Sequence, residues 1–165
     1  SHTSVVRQLH ALAAAGQVEQ TPNGSWSLKG RQAQLHLFAA PVYGSIPAGL
    51  AAMRDQEPEE TINLDPALFG VRRPRPYHLW ALRVTGDSME GARIFDGDLA
   101  VFERREPRPG DIIAALVDGS DSTLKRYVIE RGKKKLRAEN PRYPDITFKQ
   151  LECQGVWVGS IRRNV

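Results

Sequence analysis

The sequence predicts two units: part of a winged helix-turn-helix unit, which is α/β, followed by a mainly β C-terminal domain. A helical pattern and a hairpin signal occupy the first 28 residues. From Pro41 onward, short apolar runs alternate with Gly, Pro and Asp clusters, and helix-period stretches are nearly absent after Leu50. We therefore assign 1–28 to the partial winged unit, 29–40 to a connector and 41–165 to a compact barrel or set of curled sheets.

Residues 3–15 are predicted to form an α-helix because apolar side chains recur at three- and four-residue steps. The side chains on this face are Val5, Val6, Leu9, Leu12 and Ala13. Gly16 follows the pattern and is typical of a helix C-terminus, since glycine adopts the left-handed conformation found there.

A short β-hairpin is predicted after the helix. Residues 17–21 and 26–28 are strand-like, and Asn23-Gly24 between them is a strong turn signal. A helix, a glycine and a two-stranded hairpin together form the back half of a winged helix-turn-helix. The alternative is a small α/β cap that has no role in DNA binding.

Candidate DNA contacts lie at the start of the helix and at the tip of the hairpin. A helix N-terminus with short polar side chains suits contacts to phosphates and base edges. The candidates are Ser1, His2, Thr3, Ser4 and Arg7 on the helix, and Asn23 and Gly24 in the wing. Because two further helices are expected before this one, we expect the 165-residue chain to bind operator DNA poorly or not at all.

The second unit is predicted to be mainly β because its apolar runs are short and strand-like. These runs are 78–84, 98–102, 112–117 and 156–158. A single helical turn is expected at 66–69, and the charged stretch 131–135 is interpreted as a solvated hairpin tip.

Composition limits the classes of function. The net charge of +4 favours a polyanionic partner, although a basic surface also serves solubility alone. No run of 18 apolar residues occurs, so no membrane span is expected. The single cysteine, Cys153, fits a reducing bacterial cytoplasm and a buried structural thiol. The four histidines lack ligand spacing, so we expect no metal and no cofactor.

Ser88 and Lys125 are the candidate catalytic residues. A serine hydroxyl needs a base, and a lysine amine serves near neutral pH only when burial disfavours its charged form. Lys125 lies in a strand-like run whose alternation places it on one face with Tyr127, where apolar neighbours can desolvate it. Gly86 permits a tight turn before Ser88, and the backbone N–H groups of Ser88 and Met89 are candidates for an oxyanion hole.

Several motifs taken together resemble the LexA/UmuD family of self-cleaving serine–lysine peptidases. They are Gly86-Asp87-Ser88-Met89, Asp96-Gly97-Asp98, Thr123-Leu124-Lys125-Arg126, and Ala48-Gly49 preceded by Gly44. The resemblance extends from about Ser1 to the end of the chain, and it includes 63–69 and 155–162.

The resemblance implies a LexA-like β fold for 41–165, with a cleavage segment at 42–52. It implies that Ser88 is the nucleophile, Lys125 the general base, and the Ala48–Gly49 bond the substrate. Pro47 departs from the family pattern and stiffens the segment. Residues 91–94 also depart from it, but neither change removes a catalytic group.

The implied role is that of a repressor in the DNA-damage (SOS) response. Its partners would be operator DNA for the intact protein, a second copy bound through the C-terminal domain around 156–161, and the RecA filament on single-stranded DNA as stimulator. The alternatives are a UmuD-like or phage-repressor-like self-cleaving protein, and a dimeric DNA-binding factor that does not cleave. A signal peptidase shares the chemistry, but the sequence shows no membrane anchor.

Overall fold

A computed structural model describes residues 2–20, 24–28, 37–44, 57–71 and 78–162. The chain divides into two compact units, Ser1–His36 and Leu37–Val165. The mainly β class predicted from the sequence is confirmed, since a single α-helix and ten strands are found among the described residues. No helix in these ranges is long and apolar enough to span a membrane.

The first unit holds helix α1 (His2–Ala14) and the antiparallel strands β1 (Val18–Gln20) and β2 (Trp26–Leu28). The last helical residue is Ala14, and Gly16 follows with the left-handed φ of +71° expected just beyond a helix C-terminus. The Gly16 N–H donates to the Ala13 carbonyl and the Gln17 N–H to the Leu12 carbonyl, both at 2.9 Å. These two bonds satisfy carbonyl groups that the last helical turn leaves open.

The apolar face predicted for α1 is only partly covered. Val5, Val6 and Leu12 are exposed, whereas Leu9 is half-buried. The rings of His10 and Trp26 meet edge to face with centroids 5.1 Å apart, which packs the helix against the hairpin.

The second unit contains one eight-stranded sheet in the order β4-β3-β5-β6-β10-β7-β8-β9. Its strands are β3 (Phe38–Tyr43), β4 (Glu60–Leu64), β5 (Leu79–Arg83), β6 (Leu99–Glu103), β7 (Ile112–Val117), β8 (Asp121–Glu130), β9 (Lys133–Arg137) and β10 (Leu151–Ile161). All neighbouring pairs are antiparallel except β3 and β5, which are parallel.

Strand β10 joins the two halves of the sheet. Residues 151–156 pair with β7, and residues 156–161 pair with β6. A register shift interrupts each ladder, one between Cys153 and Gly155 and the other between Trp157 and Gly159. Because bulges bend a strand, β10 can carry the sheet around a shared core.

That shared core packs side chains from both halves of the sheet. Trp80 stacks on Phe102 with centroids 4.6 Å apart, and Ala114 and Leu124 belong to the same cluster. A Cβ at Gly155 would lie 2.8 Å from Nε1 of Trp80, so only glycine allows the indole this close to β10. The packing fixes β5 and β8 relative to each other, and these strands position Ser88 and Lys125.

The expected boundaries differ from the observed elements in several places: β4 is not among the expected strands, β10 covers 151–161 where only 156–158 is expected, and 133–135 lie in β9. Strand β3 begins at Phe38, inside the stretch expected to be a connector, because Phe38 and Ala40 pack into the core beside β4. Residues 66–69 form the expected single turn, as a 3-10 helix. The hairpin predicted at 131–135 joins β8 to β9 and turns at Arg131 and Gly132, both with positive φ.

Candidate active site

Ser88 lies in the turn that follows β5. Gly86 has a φ of +87°, and its N–H donates to Oδ1 of Asp96 at 2.7 Å. The Gly97 N–H donates to the Val84 carbonyl at 2.9 Å. Hydrogen bonds therefore run in both directions between the turn that contains Gly86 and the Asp-Gly-Asp turn at 96–98, and each turn stabilises the other.

Lys125 reaches Ser88 from the middle of β8. Its side chain crosses into the shared core and is only 7% exposed. Nζ lies 2.8 Å from Oγ of Ser88 and donates to the Leu124 carbonyl at 3.0 Å. The structure thus brings together the two residues singled out from the sequence.

The surroundings of Lys125 favour its neutral form. Burial lowers the pKa of the Lys125 amine, and no charged neighbour contributes to that lowering. A desolvated amine without a carboxylate partner loses its proton more readily than a hydrated one. At hydrogen-bond distance from a hydroxyl, such an amine can act as a general base.

A groove of about 230 Å³ opens over the two side chains. Its apolar wall includes Leu82, Val84, Met89 and Leu124. Gly44, at the end of β3, lines the same groove. The candidate cleavage residues Ala48 and Gly49 lie outside the described residues, as does Pro47.

The candidate oxyanion donors lie beside the nucleophile. The N–H groups of Ser88 and Met89 donate to no acceptor among the described residues. Met89 is buried and precedes a 3-10 turn, Glu90–Ala92, which falls in the stretch that departs from the family pattern.

The candidate DNA contacts are described only in part. Ser1 and Asn23 lie outside the described residues. His2, Thr3 and Ser4 belong to the first turn of α1, Arg7 is exposed on the same helix, and Gly24 is exposed before β2. The structure therefore leaves their role as a prediction.

Cys153 is partly buried in β10 and is not in a disulfide. Burial raises the pKa of its thiol to about 11, which disfavours the reactive thiolate. No group of three or more potential metal ligands occurs in the described ranges.

The segment 139–143 is a part of the site that the sequence analysis missed. The backbone N–H of Glu139 donates to the Ser88 carbonyl at 2.9 Å, and the side chain of Asn140 is buried against the same turn. An asparagine before a proline indicates a turn from sequence, but nothing in the sequence indicates what that turn contacts.

The chain is similar to known proteins over most of its length. Residues 41–159 match the Peptidase S24-like family. The chain is 51% identical to the LexA repressor of Opitutus terrae over 164 residues, which cover 99% of this chain and 80% of the relative. It is 48% identical to the LexA repressor of Verrucomicrobium spinosum, covering 74% of this chain and 59% of the relative. It is 36% identical to the LexA repressor of Pseudomonas aeruginosa, covering 99% of this chain and 81% of the relative.

Proposed function

Because the chain belongs to the Peptidase S24-like family and is a LexA-like repressor, we propose that it inactivates itself by hydrolysing its own Ala48–Gly49 peptide bond. The observation that carries this proposal is the 2.8 Å approach of Nζ of Lys125 to Oγ of Ser88. The burial of the amine supports it, because burial lowers the pKa of Lys125 and so favours the neutral amine that can accept a proton.

The proposed reaction begins when neutral Lys125 takes the hydroxyl proton of Ser88 as Oγ attacks the carbonyl carbon of Ala48. The oxyanion that forms accepts hydrogen bonds from the N–H groups of Ser88 and Met89. Lys125, now an ammonium, gives the proton to the amine nitrogen of Gly49 as the Ala48–Gly49 bond breaks. The carbonyl carbon of Ala48 is then joined to Oγ of Ser88 as an ester. Water, activated by the same amine, then hydrolyses the ester and restores Ser88.

The chain supplies its own substrate, which replaces a bimolecular encounter by an intramolecular one. Gly44 lines the groove and lies only four residues before Ala48, a chain length short enough for us to propose that the Ala48–Gly49 bond reaches the nucleophile. The small side chains of Ala48 and Gly49 suit a groove of about 230 Å³.

As a repressor of the SOS response, the protein would bind operator DNA as a homodimer in the bacterial cytoplasm. Two half-site contacts joined in one dimer hold DNA far more tightly than either alone. Cutting Ala48–Gly49 removes the covalent link, and the DNA would be released once the 1–48 product leaves the sheet. We assign the stimulation of cleavage to a RecA filament on single-stranded DNA. The DNA contacts we propose are those at the start of α1 and in the wing.

Strand β10 supports the proposed dimer interface. Within the described residues, 157–161 pair with β6 on one side and have no strand on the other. An open edge of this kind offers unpaired backbone groups to a second copy.

Incubating the purified protein between pH 6 and pH 10 tests the proposed reaction. We expect products 1–48 and 49–165, identified by mass spectrometry. The rate should rise with pH and then level off, because the neutral fraction of Lys125 increases as the pH passes through its lowered pKa and saturates above it.

The Ser88→Ala and Lys125→Met variants are the matched controls, and each should reduce the rate by at least roughly a thousandfold. A rate independent of pH, or cutting that survives Ser88→Ala, contradicts the proposed dyad.

A further inference from the structure

The segment 139–143 is folded against the turn that carries Ser88, and Asn140 lies at the centre of the contact. The Asn140 side chain is only 2% exposed. Its Nδ2 donates to the backbone carbonyl of Asp87 at 3.1 Å and to Oε1 of Glu90 at 2.9 Å. One buried amide therefore holds the chain on both sides of the nucleophile.

The contact with Asp87 fixes an N–H group as well as a carbonyl. In a trans peptide the C=O and the following N–H lie in one plane and point in opposite directions. Asn140, together with the Glu90 backbone N–H at 3.2 Å, holds the carbonyl of Asp87 and thereby sets the direction of the Ser88 N–H. In the same way, the Glu139 N–H holds the Ser88 carbonyl at 2.9 Å and sets the direction of the Met89 N–H.

Asn140 is itself held in place. Its Oδ1 accepts from the Arg142 backbone N–H at 3.0 Å. The Asp87 carboxylate accepts from the Tyr143 hydroxyl and from the Arg142 guanidinium. With both amide ends engaged, the side chain has a single orientation in which Nδ2 points at the Asp87 carbonyl.

The backbone of the segment approaches the turn closely. The Gly91 N–H donates to the Glu139 carbonyl at 2.8 Å, and a Cβ at position 91 would lie 2.3 Å from that carbonyl oxygen. Gly91 therefore permits the approach on which the contacts of Asn140 depend.

We infer that Asn140 is a positioning residue for the oxyanion hole, acting through the peptide plane that precedes Ser88, while the adjacent Glu139 N–H holds the plane that follows it. The inference rests on the proposed self-cleavage and extends it beyond the dyad. Asn140 has no hydrogen bond to Oγ of Ser88 or to Nζ of Lys125 among the described contacts. Its loss should lower the rate of the chemical step and leave the pH dependence unchanged.

The Asn140→Asp variant tests this inference in the full chain. It keeps the shape and the acceptor for Arg142 but removes both Nδ2 donors. Loss of one oxyanion donor lowers kcat by about 100- to 1000-fold, so misdirecting one donor should lower the plateau rate of self-cleavage by roughly 10- to 100-fold. The pH midpoint of the rate should stay that of the wild type.

Two further variants separate positioning from a general loss of structure. Glu90→Gln keeps the bond from Asn140 to the Asp87 carbonyl, and we expect its rate to stay within roughly threefold of the wild type. Asn140→Asp combined with Glu90→Gln relieves the charge repulsion between the two side chains without restoring the donor to Asp87. Its melting temperature should recover, and its rate should not.

The outcomes distinguish this inference from the proposed function. A wild type that does not cut at 48–49 overturns both. A wild type that cuts, beside an Asn140→Asp variant that cuts equally fast or has a shifted pH midpoint, overturns only the role of Asn140. A rate that falls only as far as the folded fraction, or that recovers in the double variant, assigns Asn140 a purely structural role and also overturns it.

Discussion

At the scale of single residues, burying the amine of Lys125 favours the proposed catalysis but lowers the stability of the fold. Burial lowers the pKa of this amine in the folded protein relative to the unfolded chain. The unfolded chain then binds the proton more tightly, so folding is penalised. The penalty is complete below the folded pKa and disappears as the pH rises past the unfolded value near 10.5.

Replacing Lys125 should therefore stabilise the protein near neutral pH. We compare Ser88→Ala with Ser88→Ala combined with Lys125→Met, so that neither protein cleaves itself. The double variant should melt higher at pH 7, by roughly 2–4 °C for each kcal/mol of penalty removed. The difference should shrink towards pH 10. Equal melting curves at pH 7 would show that the amine carries no burial penalty.

The exposed Lys134 provides the matched control for that experiment. Lys134→Met on the same Ser88→Ala background removes a charge without removing a buried amine. We expect its effect on the melting temperature to be small and to change little between pH 7 and pH 10.

At the scale of elements, an ion pair links the end of β10 to the start of β6. Asp98 is 1% exposed and accepts from Nε of Arg162 at 2.6 Å and from the Phe95 N–H at 2.9 Å. Chiefly through its hydrogen bond, Arg162 lowers the pKa of Asp98. The stabilisation is fully present above the unfolded pKa of about 4 and is lost as the pH falls through the lowered folded value.

Arg162→Met should lower the free energy of unfolding by about 2–3 kcal/mol at pH 7, because it leaves a buried carboxylate without its partner. The expected loss is modest for a buried pair because the Arg162 side chain is half exposed. Denaturant unfolding of Ser88→Ala backgrounds measures it. Asp98→Asn combined with Arg162→Met should be less destabilised than Arg162→Met alone, and the opposite order would refute the explanation.

At the scale of the whole molecule, the proposed cut falls on the far side of a core strand. Strand β3 precedes Ala48 in the chain, yet it pairs with both β4 and β5 in the sheet. Ala40 and Val42 are completely buried within it. Cleavage would leave this strand in place, held by its hydrogen bonds and its apolar contacts alone.

We therefore expect products 1–48 and 49–165 to elute together from a size-exclusion column under native conditions. They should separate only when denaturant or time allows β3 to leave the sheet. Val42→Ser should hasten the separation, since it weakens the apolar packing of the strand. Immediate separation of the wild-type products would show that β3 does not hold them together.

Much of this protein could be predicted from its sequence because the signals are local. Gly16 ends α1 where glycine alone adopts the required conformation at little cost, and Arg131-Gly132 turns the hairpin between β8 and β9. The residue types at 88 and 125, within motifs that resemble a known family, are enough to single out two residues that the structure places 2.8 Å apart. The bond they are proposed to cut stays a prediction, since the structure does not describe it.

Tertiary structure decided what depends on contacts between residues distant in the chain. Alternation alone places Lys125 on a strand face, but only the packing of both halves of the sheet around a shared core brings that face against the turn of Ser88. The same holds for Asn140, whose partners Asp87 and Glu90 lie some 50 residues away. Backbone conformation depends on nearby residues, so it could be predicted from the sequence. Burial and hydrogen-bond partners depend on the packing of distant residues, so they could not.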